Sequence, residues 1–490
     1  MLLHSTRCKS CTASPMQAVL QGIAPDGGLY VPENPAKMPF DYTELMQMDF
    51  LQMAQKIIET MLPGFPDTKG LVEQAYQNKF ETQEITPLVQ VGNTYVLELF
   101  HGPTCAFKDV ALSMLPHLMT AAKKALSPSG EAVILTATSG DTGKAALEGF
   151  HDVEGTKIIV FYPKNGVSPV QQLQMTTQEG KNVCVCAVEG NFDDCQRGVK
   201  NAFAGLTNLL PENKQLSSAN SINIGRLVPQ IVYYFAAYRQ LIESGKIVQG
   251  QQVTFVVPTG NFGDILAGYY ASMLGLPVQK LVCASNENDV LTEFFHTGKY
   301  NKNRPFIRTT SPSMDILVSS NLERLLYHAS NGNTRMVSSL MKKLSEKGEY
   351  QISENLRTML AEYFAADECT EEEAAQTIKN VWEEAHYLLD PHTAVAMHCA
   401  KKYQKDQAKD GEMVIVLSTA SPYKFPRAVL NALTGSSPED EFDCQQALCQ
   451  LTGVPVPQAL SCLKSKPVLH HASCKPEEMN EWILRYLKEN

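Results

Sequence analysis

Residues 97–112 read LELFHGPTCAFKDVAL and place a lysine at a junction between a strand and a helix. The apolar start of this segment predicts a short strand, the Gly-Pro pair predicts a turn, and apolar residues at helical spacing from Lys108 to Leu115 predict a helix. Desolvation of the Lys108 amine beside Phe107 disfavours its charged form and lowers its pKa. Lys108 is therefore a candidate for Schiff-base chemistry, although this stretch alone favours an ordinary surface lysine.

The chain beyond residue 130 repeats a pattern of short apolar strand, glycine-rich turn and helix. Apolar runs separated by helices are typical of buried parallel strands, so the pattern predicts an α/β fold. The predicted strands are Ala132–Thr136, Ile158–Tyr162, Val183–Val188, Val253–Val257, Lys280–Ala284 and Met413–Leu417.

The composition predicts several domains, because 490 residues exceed the usual size of one. We expect an N-terminal accessory domain (1–90), a smaller α/β domain (91–215), a larger α/β domain (216–435) and a C-terminal cap (436–490). A mostly helical insertion is expected within the larger domain at about 315–400, where Thr370 to Glu373 form a capping box.

Charge and hydropathy exclude several classes of protein. A net charge of −10 argues against nucleic-acid binding, and no apolar run is long enough for a membrane span or a secretory signal. Thirteen scattered cysteines are typical of reduced thiols and a cytoplasmic protein. Cys8 and Cys11 have zinc-ligand spacing but no second ligand pair, so no metal site is predicted.

Three loops lie at predicted strand ends. Residues 138–143 read TSGDTG before a helix, so their amides and hydroxyls suit a carboxylate, or else only cap the helix. Residues 260–264 read GNFGD, and their two glycines at a helix start suit a phosphate. Neither loop fits an ATP or dinucleotide motif. Thr419, after the last predicted strand, offers a hydroxyl to a ring nitrogen or caps the strand end.

These motifs together resemble the threonine synthase family, pyridoxal-phosphate enzymes of the tryptophan-synthase-β group known as fold type II. The resemblance runs from about residue 5 to residue 425 and includes APDGGL at 24–29 and HGPTCAFKD at 101–109. One departure is Ser421, which stands where the family usually has histidine.

The resemblance implies two three-layer α/β domains with pyridoxal 5'-phosphate between them. It implies that Lys108 holds the cofactor as a Schiff base, that Thr419 meets the pyridine nitrogen, and that the cofactor phosphate is bound by Gly260, Asn261, Phe262, Gly263 and Asp264.

The implied reaction is lyase chemistry of threonine biosynthesis: O-phosphohomoserine and water give L-threonine and phosphate by β,γ-elimination and replacement. Lys144 is a weaker substrate ligand, and His101 and His392 are interpreted as structural. We expect a monomer or homodimer. The candidate substrate-binding residues are Thr138, Ser139, Gly140, Asp141, Thr142, Asn220, Ser221, Asn223 and Arg226.

Three alternatives stay open from the sequence. The nearest is a threonine-synthase-like phospho-lyase that gives 2-oxobutyrate, ammonia and phosphate. A serine or threonine dehydratase of the same fold is disfavoured by the long N-terminal arm and the Phe-Lys-Asp motif. The third is a cofactor-binding protein without catalysis, which the joint presence of Lys108 and all three loops argues against.

Overall fold

The computed structural model describes residues 1–126, 130–206, 209–210 and 213–489, and its strands form two large sheets and two small ones. The strands are β1 (Leu3–Ser5), β2 (Thr12–Ala13), β3 (Tyr30–Pro32), β4 (Leu88–Val91), β5 (Thr94–Glu98), β6 (Glu131–Ala137), β7 (Thr156–Pro163), β8 (Val183–Val188), β9 (Lys214–Ser218), β10 (Val253–Pro258), β11 (Val278–Ser285), β12 (Lys299–Asn301), β13 (Glu349–Gln351), β14 (Phe364–Glu368), β15 (Met413–Ser418) and β16 (Ala472–Cys474).

Within the described residues, none of the helices is long and apolar enough to cross a membrane. The helices are α1 (Pro15–Gln21), α2 (Tyr42–Leu45), α3 (Phe50–Met61), α4 (Thr68–Tyr76), α5 (Lys108–Leu126), α6 (Asp141–Phe150), α7 (Pro169–Thr176), α8 (Phe192–Leu206), α9 (Ile224–Leu227), α10 (Ile231–Glu243), α11 (Gly263–Met273), α12 (Val290–Thr297), α13 (Leu322–Ala329), α14 (Thr334–Lys347), α15 (Glu354–Tyr363), α16 (Glu371–Ala385), α17 (Pro391–Asp406), α18 (Pro426–Thr434), α19 (Glu441–Thr452), α20 (Gln458–Ser461) and α21 (Met479–Glu489).

The larger sheet has six strands in the order β14-β11-β10-β15-β5-β4. Its strands are parallel except for β4, which pairs antiparallel to β5. Alternate residues of β15 enter different apolar cores: Ile415 packs with α10 and α11, whereas Val416 packs with α17. Because successive side chains of a strand point to opposite faces, the sheet is covered by helices on both sides. The predicted three-layer α/β fold is confirmed.

The smaller sheet has five parallel strands in the order β16-β8-β7-β6-β9. Ile134 of β6 faces the core shared with α5 and α6, and Leu135 faces the core shared with α8 and α21. This second sheet is therefore also the middle of three layers. All six strands predicted from apolar runs lie in one or the other large sheet.

The grouping of three strands differs from the expectation drawn from the sequence. β5, which leads to Lys108, pairs with β15 of the larger sheet, although residues 91–215 were assigned to the smaller domain. β14 extends the larger sheet from within the segment expected to be mostly helical, and β16 of the C-terminal segment adds to the smaller sheet. The pairings join residues far apart in sequence, which local patterns do not reveal. The remaining domain boundaries stay predictions.

The N-terminal arm is held to α13 by buried charge. Arg7 and Thr6 both donate to the carboxylate of Glu323, and the Arg7 pair measures 2.7 Å. The fully buried Arg324 donates from Nε to the Tyr30 carbonyl at 3.0 Å. These contacts fix the small β1–β3 sheet against the larger domain.

His328 on α13 gives the fold a predictable acid sensitivity. Its Nε2 lies 2.9 Å from the Tyr270 hydroxyl, and burial lowers the pKa of His328 to about 3. An unfolded histidine titrates near 6.5, so the unfolded chain binds more protons between these values. We expect His328 to reduce the free energy of unfolding by about 1.4 kcal/mol for each pH unit below about 6.5. Urea unfolding of His328→Gln at several pH values measures the loss of this slope.

The matched control is His471→Gln, which changes an exposed histidine. An unchanged pH slope in His328→Gln would contradict the assignment.

Candidate functional site

Lys108 is positioned by two backbone hydrogen bonds between two loops. The Phe107 N–H donates to the Thr419 carbonyl at 2.9 Å, and the Ser421 N–H donates to the Cys105 carbonyl at 3.0 Å. The segment that carries Lys108 therefore runs beside the end of β15. Lys108 is the first residue of α5, as the sequence predicts, and Thr419 is its neighbour across the loop pair.

The Lys108 amine is buried rather than directed to solvent, with 8% of the residue exposed. Its Nζ lies 3.5 Å from Asp141 Oδ2, 3.4 Å from Ser313 Oγ and 4.5 Å from the centre of the Phe107 ring. Burial lowers the pKa of Lys108, and the Asp141 carboxylate opposes this shift without reversing it. An amine of lowered pKa is more readily available as a nucleophile or base.

Asp141, at the start of α6, joins two buried lysines. Its Oδ1 accepts from Lys424 Nζ at 2.7 Å and from Gln171 Nε2 at 2.9 Å, and its Oδ2 faces Lys108. Lys424 is fully buried and also donates to the Thr104 carbonyl at 3.0 Å. Burial alone would raise the pKa of Asp141, but Lys424 and Lys108 hold it well below its usual range. The carboxylate is therefore charged at neutral pH.

The rest of residues 138–143 forms a tight turn at the N-terminus of α6. Thr138 Oγ1 accepts from the N–H groups of Gly140 at 2.9 Å and Gly143 at 2.8 Å. Gly140 has φ 134°, and a Cβ at this position would lie 2.4 Å from the Gln171 side chain. The turn needs glycine here, while Ser139 and Thr142 remain partly exposed.

The glycine loop at 260–264 approaches the lysine through Ser313. A Cβ on Gly260 would lie 2.5 Å from the Ser313 carbonyl oxygen, so the loop backbone packs directly against the residue whose hydroxyl contacts Lys108. Phe262 adopts φ 63° and stacks on Phe295 with ring centres 6.0 Å apart. Gly263 then begins α11, whose first-turn N–H groups have no partner within the helix.

Asp264, the last residue of this loop, is buried beneath it. Its Oδ1 accepts from the hydroxyls of Tyr233 and Tyr234, while its Oδ2 is buried without a hydrogen-bond partner among the described residues. Burial raises the pKa of Asp264 to about 6. A carboxyl of raised pKa opposes an anion at the helix start less than an ordinary aspartate does.

Arg226 is a buried guanidinium with spare donors. It is 3% exposed, and its Nη1 donates to the Ala219 carbonyl at 2.9 Å. Its Nε has no hydrogen-bond partner, and no carboxylate pairs with Arg226 within the part of the chain that the structure describes. Burial lowers its pKa to about 10, so the group stays charged at neutral pH. After burial and Lys424, the charge of Arg226 also contributes to the lowered pKa of Lys108.

The remaining candidates on residues 219–226 have different surroundings. Asn220 Nδ2 donates to the Ala137 carbonyl at 3.3 Å, just before the TSGDTG turn. Ser221 lies near Gly263, with its Cβ 3.8 Å from the position a Cβ on Gly263 would take. Asn223 is fully buried, and its amide binds the backbone of Val19 and other residues. Asn220 and Ser221 thus lie next to the two loops. The Asn223 side chain binds backbone carbonyls, so a role for Asn223 in substrate binding stays a prediction.

Sequence reasoning missed Ser313 and Lys424, and it interpreted His392 as structural. The Ser313 N–H donates to His392 Nε2 at 3.1 Å, and His392 Nδ1 lies 2.8 Å from Asp390 Oδ1. Because Nε2 accepts from an amide, neutral His392 carries its proton on Nδ1. The sequence did indicate a helix start at Asp390-Pro391-His392. No local pattern, however, predicted that His392 would contact Ser313.

Two other candidates are held elsewhere. His101 Nε2 lies 2.7 Å from Glu98 Oε2, and Lys144 Nζ pairs with Glu148 at 2.8 Å. Lys144 Nζ also donates to Gln178 Oε1, so both side chains already have protein partners.

We expect Asp141→Asn to lower the free energy of unfolding by about 3–5 kcal/mol, because it leaves two buried lysines without their carboxylate. Urea unfolding measures this. The double variant Asp141→Asn/Lys424→Met removes both charges of the closest pair, so it should lose less than the sum of the single variants.

Ser139→Ala is the control, because its partly exposed side chain lies in the same turn, and we expect a change within about 0.5 kcal/mol. Additive losses in the double variant would show that the buried pair does not act as a unit.

Comparison with known proteins shows which family this chain resembles. A profile described as pyridoxal-phosphate dependent enzyme matches residues 80–419, and profiles for the threonine synthase N terminus and C-terminal region match residues 3–76 and 393–467. The threonine synthase of Saccharomyces cerevisiae is 40% identical over 469 residues, covering 89% of both chains. Human threonine synthase-like 1 is also 40% identical, over 85% of this chain, but the match covers only 58% of that longer protein.

A solved structure agrees with these matches. The PLP-bound threonine synthase from Brucella melitensis is 37% identical, with a TM-score of 0.87 over 100% of this chain and 99% of that one. The matches thus cover both large sheets and every loop around Lys108. The chain belongs to the pyridoxal-phosphate dependent enzymes and, among them, to the threonine synthase family.

Proposed function

We propose that this chain converts O-phosphohomoserine and water to L-threonine and phosphate with pyridoxal 5'-phosphate as cofactor. The observation that carries the proposal is the buried Lys108 amine, 3.5 Å from Asp141 and 3.4 Å from Ser313, beside a glycine loop at a helix N-terminus. Membership of the threonine synthase family supports it.

The residues present fit the proposed cofactor. The close packing of Gly260 on Ser313 and the free N–H groups at the start of α11 suit a phosphate. We propose that Gly260, Asn261, Phe262, Gly263 and Asp264 bind this phosphate, that Lys108 binds the aldehyde carbon, and that Thr419 meets the ring nitrogen. A hydroxyl at that nitrogen, unlike a carboxylate, would not hold it protonated.

The substrate brings two further anionic groups, a carboxylate and a phosphate. Arg226 has a planar donor set, and its Nε has no partner among the described residues, which suits bidentate phosphate contact. The TSGDTG turn offers the N-terminus of α6 to the carboxylate. We propose that Arg226, Asn220 and Ser221 bind the substrate phosphate. The proposed ligands of the carboxylate are Thr138, Ser139, Gly140, Asp141 and Thr142, with Asn223 holding the neighbouring turn.

The chain's own residues would move the protons. Bound pyridoxal phosphate withdraws electrons and acidifies the protons on the substrate's Cα and Cβ. Once the substrate's amino group has replaced it at the aldehyde carbon, Lys108 Nζ would accept and return these protons, because its lowered pKa favours the neutral amine. Asp141 and Ser313 hold Nζ in place, and burial of the amine keeps bulk water from competing for it.

A reducing compartment suits this chain. All thirteen cysteines lie in the described residues, and each is a free thiol. We therefore include a cytoplasmic location in the proposal. We also propose that the protein is a monomer or a homodimer.

The reaction products test the proposal directly. When purified holoenzyme is mixed with O-phospho-L-homoserine, we expect threonine and phosphate to appear in equal amounts, as measured by amino-acid chromatography and a phosphate assay. The phospho-lyase reaction is the nearest alternative left open by the sequence, so 2-oxobutyrate is measured in the same sample.

Phosphate accompanied by 2-oxobutyrate instead of threonine would replace the proposal with that rival, and no phosphate release would overturn both. Lys108→Ala should abolish turnover, whereas Lys144→Met, which changes a lysine paired with Glu148, should retain most of it.

Arg226→Lys tests the substrate-phosphate assignment. Lysine keeps the charge but lacks the planar fork, so we expect kcat/KM for O-phosphohomoserine to fall by roughly 10–1,000-fold. Inhibition by inorganic phosphate should weaken in parallel. An unchanged phosphate inhibition constant together with a normal pyridoxal content would assign Arg226 a purely structural role.

A further inference from the structure

Three side chains with metal-ligand chemistry meet at the edge of the larger sheet, outside the network around Lys108. Cys369 follows β14, Glu373 lies in the first turn of α16, and His398 lies on α17. One ligand atom from each lies within 4.8 Å of the other two. Tertiary packing, not local sequence, brings these groups together.

One of the ligand spacings matches a tetrahedral zinc site, and the others lie within 4.8 Å. Ligand atoms bound at about 2.0–2.3 Å from a tetrahedral zinc ion lie roughly 3.3–3.8 Å from one another. His398 Nε2 and Glu373 Oε1 are 3.6 Å apart, within that range. A thiolate, an imidazole and a carboxylate are all common zinc ligands, whereas calcium and magnesium prefer oxygen alone.

Two of the three side chains are held with a ligand atom free. His398 Nε2 is buried and has no hydrogen-bond partner among the described residues. Glu373 Oε2 accepts from the Thr370 N–H at 2.9 Å and the Thr370 hydroxyl at 3.0 Å, as part of the helix cap. The cap therefore fixes the carboxylate and leaves Oε1 toward His398. Such outer contacts orient metal ligands in known sites.

The charges also match a divalent ion. A Cys369 thiolate and the Glu373 carboxylate together neutralise two positive charges. The neighbouring Lys402 is already paired, 2.5 Å from Asp367 Oδ1. The Glu373 side chain is 45% exposed and that of His398 20%, so an ion and a water molecule can reach the cluster.

We propose that Cys369, Glu373 and His398 bind one Zn²⁺, with water as the fourth ligand. The ion would tie the β14–α16 junction to α17, whose second residue, His392, accepts a hydrogen bond from the Ser313 N–H. This differs from the absence of a metal site expected from the sequence, which could not place His398 near Cys369.

A second group of possible metal ligands, Cys8, Cys11 and Asp26, would complicate a zinc-binding measurement. Both Asp26 oxygens already accept from the Ser5 hydroxyl at 2.8 Å, and Oδ1 also accepts from the Gly28 N–H. Its two thiols could still bind added metal. The experiment therefore uses holoenzyme carrying Cys8→Ser and Cys11→Ser.

Zinc affinity is measured by competition with a chromophoric chelator, with zinc chloride as the only added metal. We expect one zinc ion per chain. Because even outer contacts contribute roughly 10–100-fold to metal affinity, loss of a ligand in Cys369→Ser or His398→Gln should weaken binding by about a hundredfold or more. The matched control is Cys399→Ala, since Cys399 is a buried thiol next to His398 but outside the cluster.

Cobalt provides a second readout. Co²⁺ added to the parent and to Cys399→Ala should give a thiolate-to-cobalt charge-transfer band, which Cys369→Ser should lack. Glu373→Gln and His398→Gln change partly exposed side chains, so they keep the test valid if the cysteine variant does not fold. Zinc binding that is absent from the parent, or equally tight in all variants, would overturn the proposal.

Discussion

The buried contact of Asp141 with Lys424 and Lys108 connects the two halves of the molecule. Asp141 begins α6 after a strand of the smaller sheet, whereas Lys424 follows β15 of the larger sheet and Lys108 begins α5. Burying charges is unfavourable unless partners compensate, and a buried pair is often no more stable than apolar residues of similar size. Stability is therefore a weak reason for this arrangement. Its chemical effect is stronger, because it holds an amine of lowered pKa at a fixed place between the sheets.

The backbone around this contact is shaped by positive φ angles. Cys105 at φ 59° precedes Lys108, Gly140 at φ 134° precedes Asp141, and Phe262 at φ 63° precedes α11. Left-handed geometry is unfavourable for non-glycine residues, so the surrounding structure must hold it. For Phe262, ring packing against Phe295 and Phe364 does this. Each loop therefore turns sharply just before a helix, namely α5, α6 or α11.

The sequence predicted local features well and long-range ones poorly. Apolar runs located the strands, and glycines next to strand ends located the loops, because both signals lie within a few residues. Lys424 was missed because a lysine is normally exposed, and only pairing between residues 141 and 424 makes it a buried partner. β14 was hidden in a helical segment, and β5 was grouped with the wrong sheet, since its partner β15 lies over 300 residues later. The contact of His392 with Ser313 was missed for the same reason, because the two residues lie far apart in the sequence.

An acidic protein that binds a phosphate group needs positively charged side chains at the binding site. With a net charge of −10, the overall field of the protein repels anions, so recognition depends on a few positive groups in a low-dielectric cleft. Lys424 is already paired with Asp141, and the fully buried Arg324 donates to backbone carbonyls. Arg226 is a buried cation without a carboxylate whose Nε has no partner among the described residues. A buried charge without a partner is unfavourable, and an incoming anion offsets that cost. In the proposed function, substrate-phosphate binding would therefore also stabilise the site, because the phosphate would pair with the buried guanidinium of Arg226.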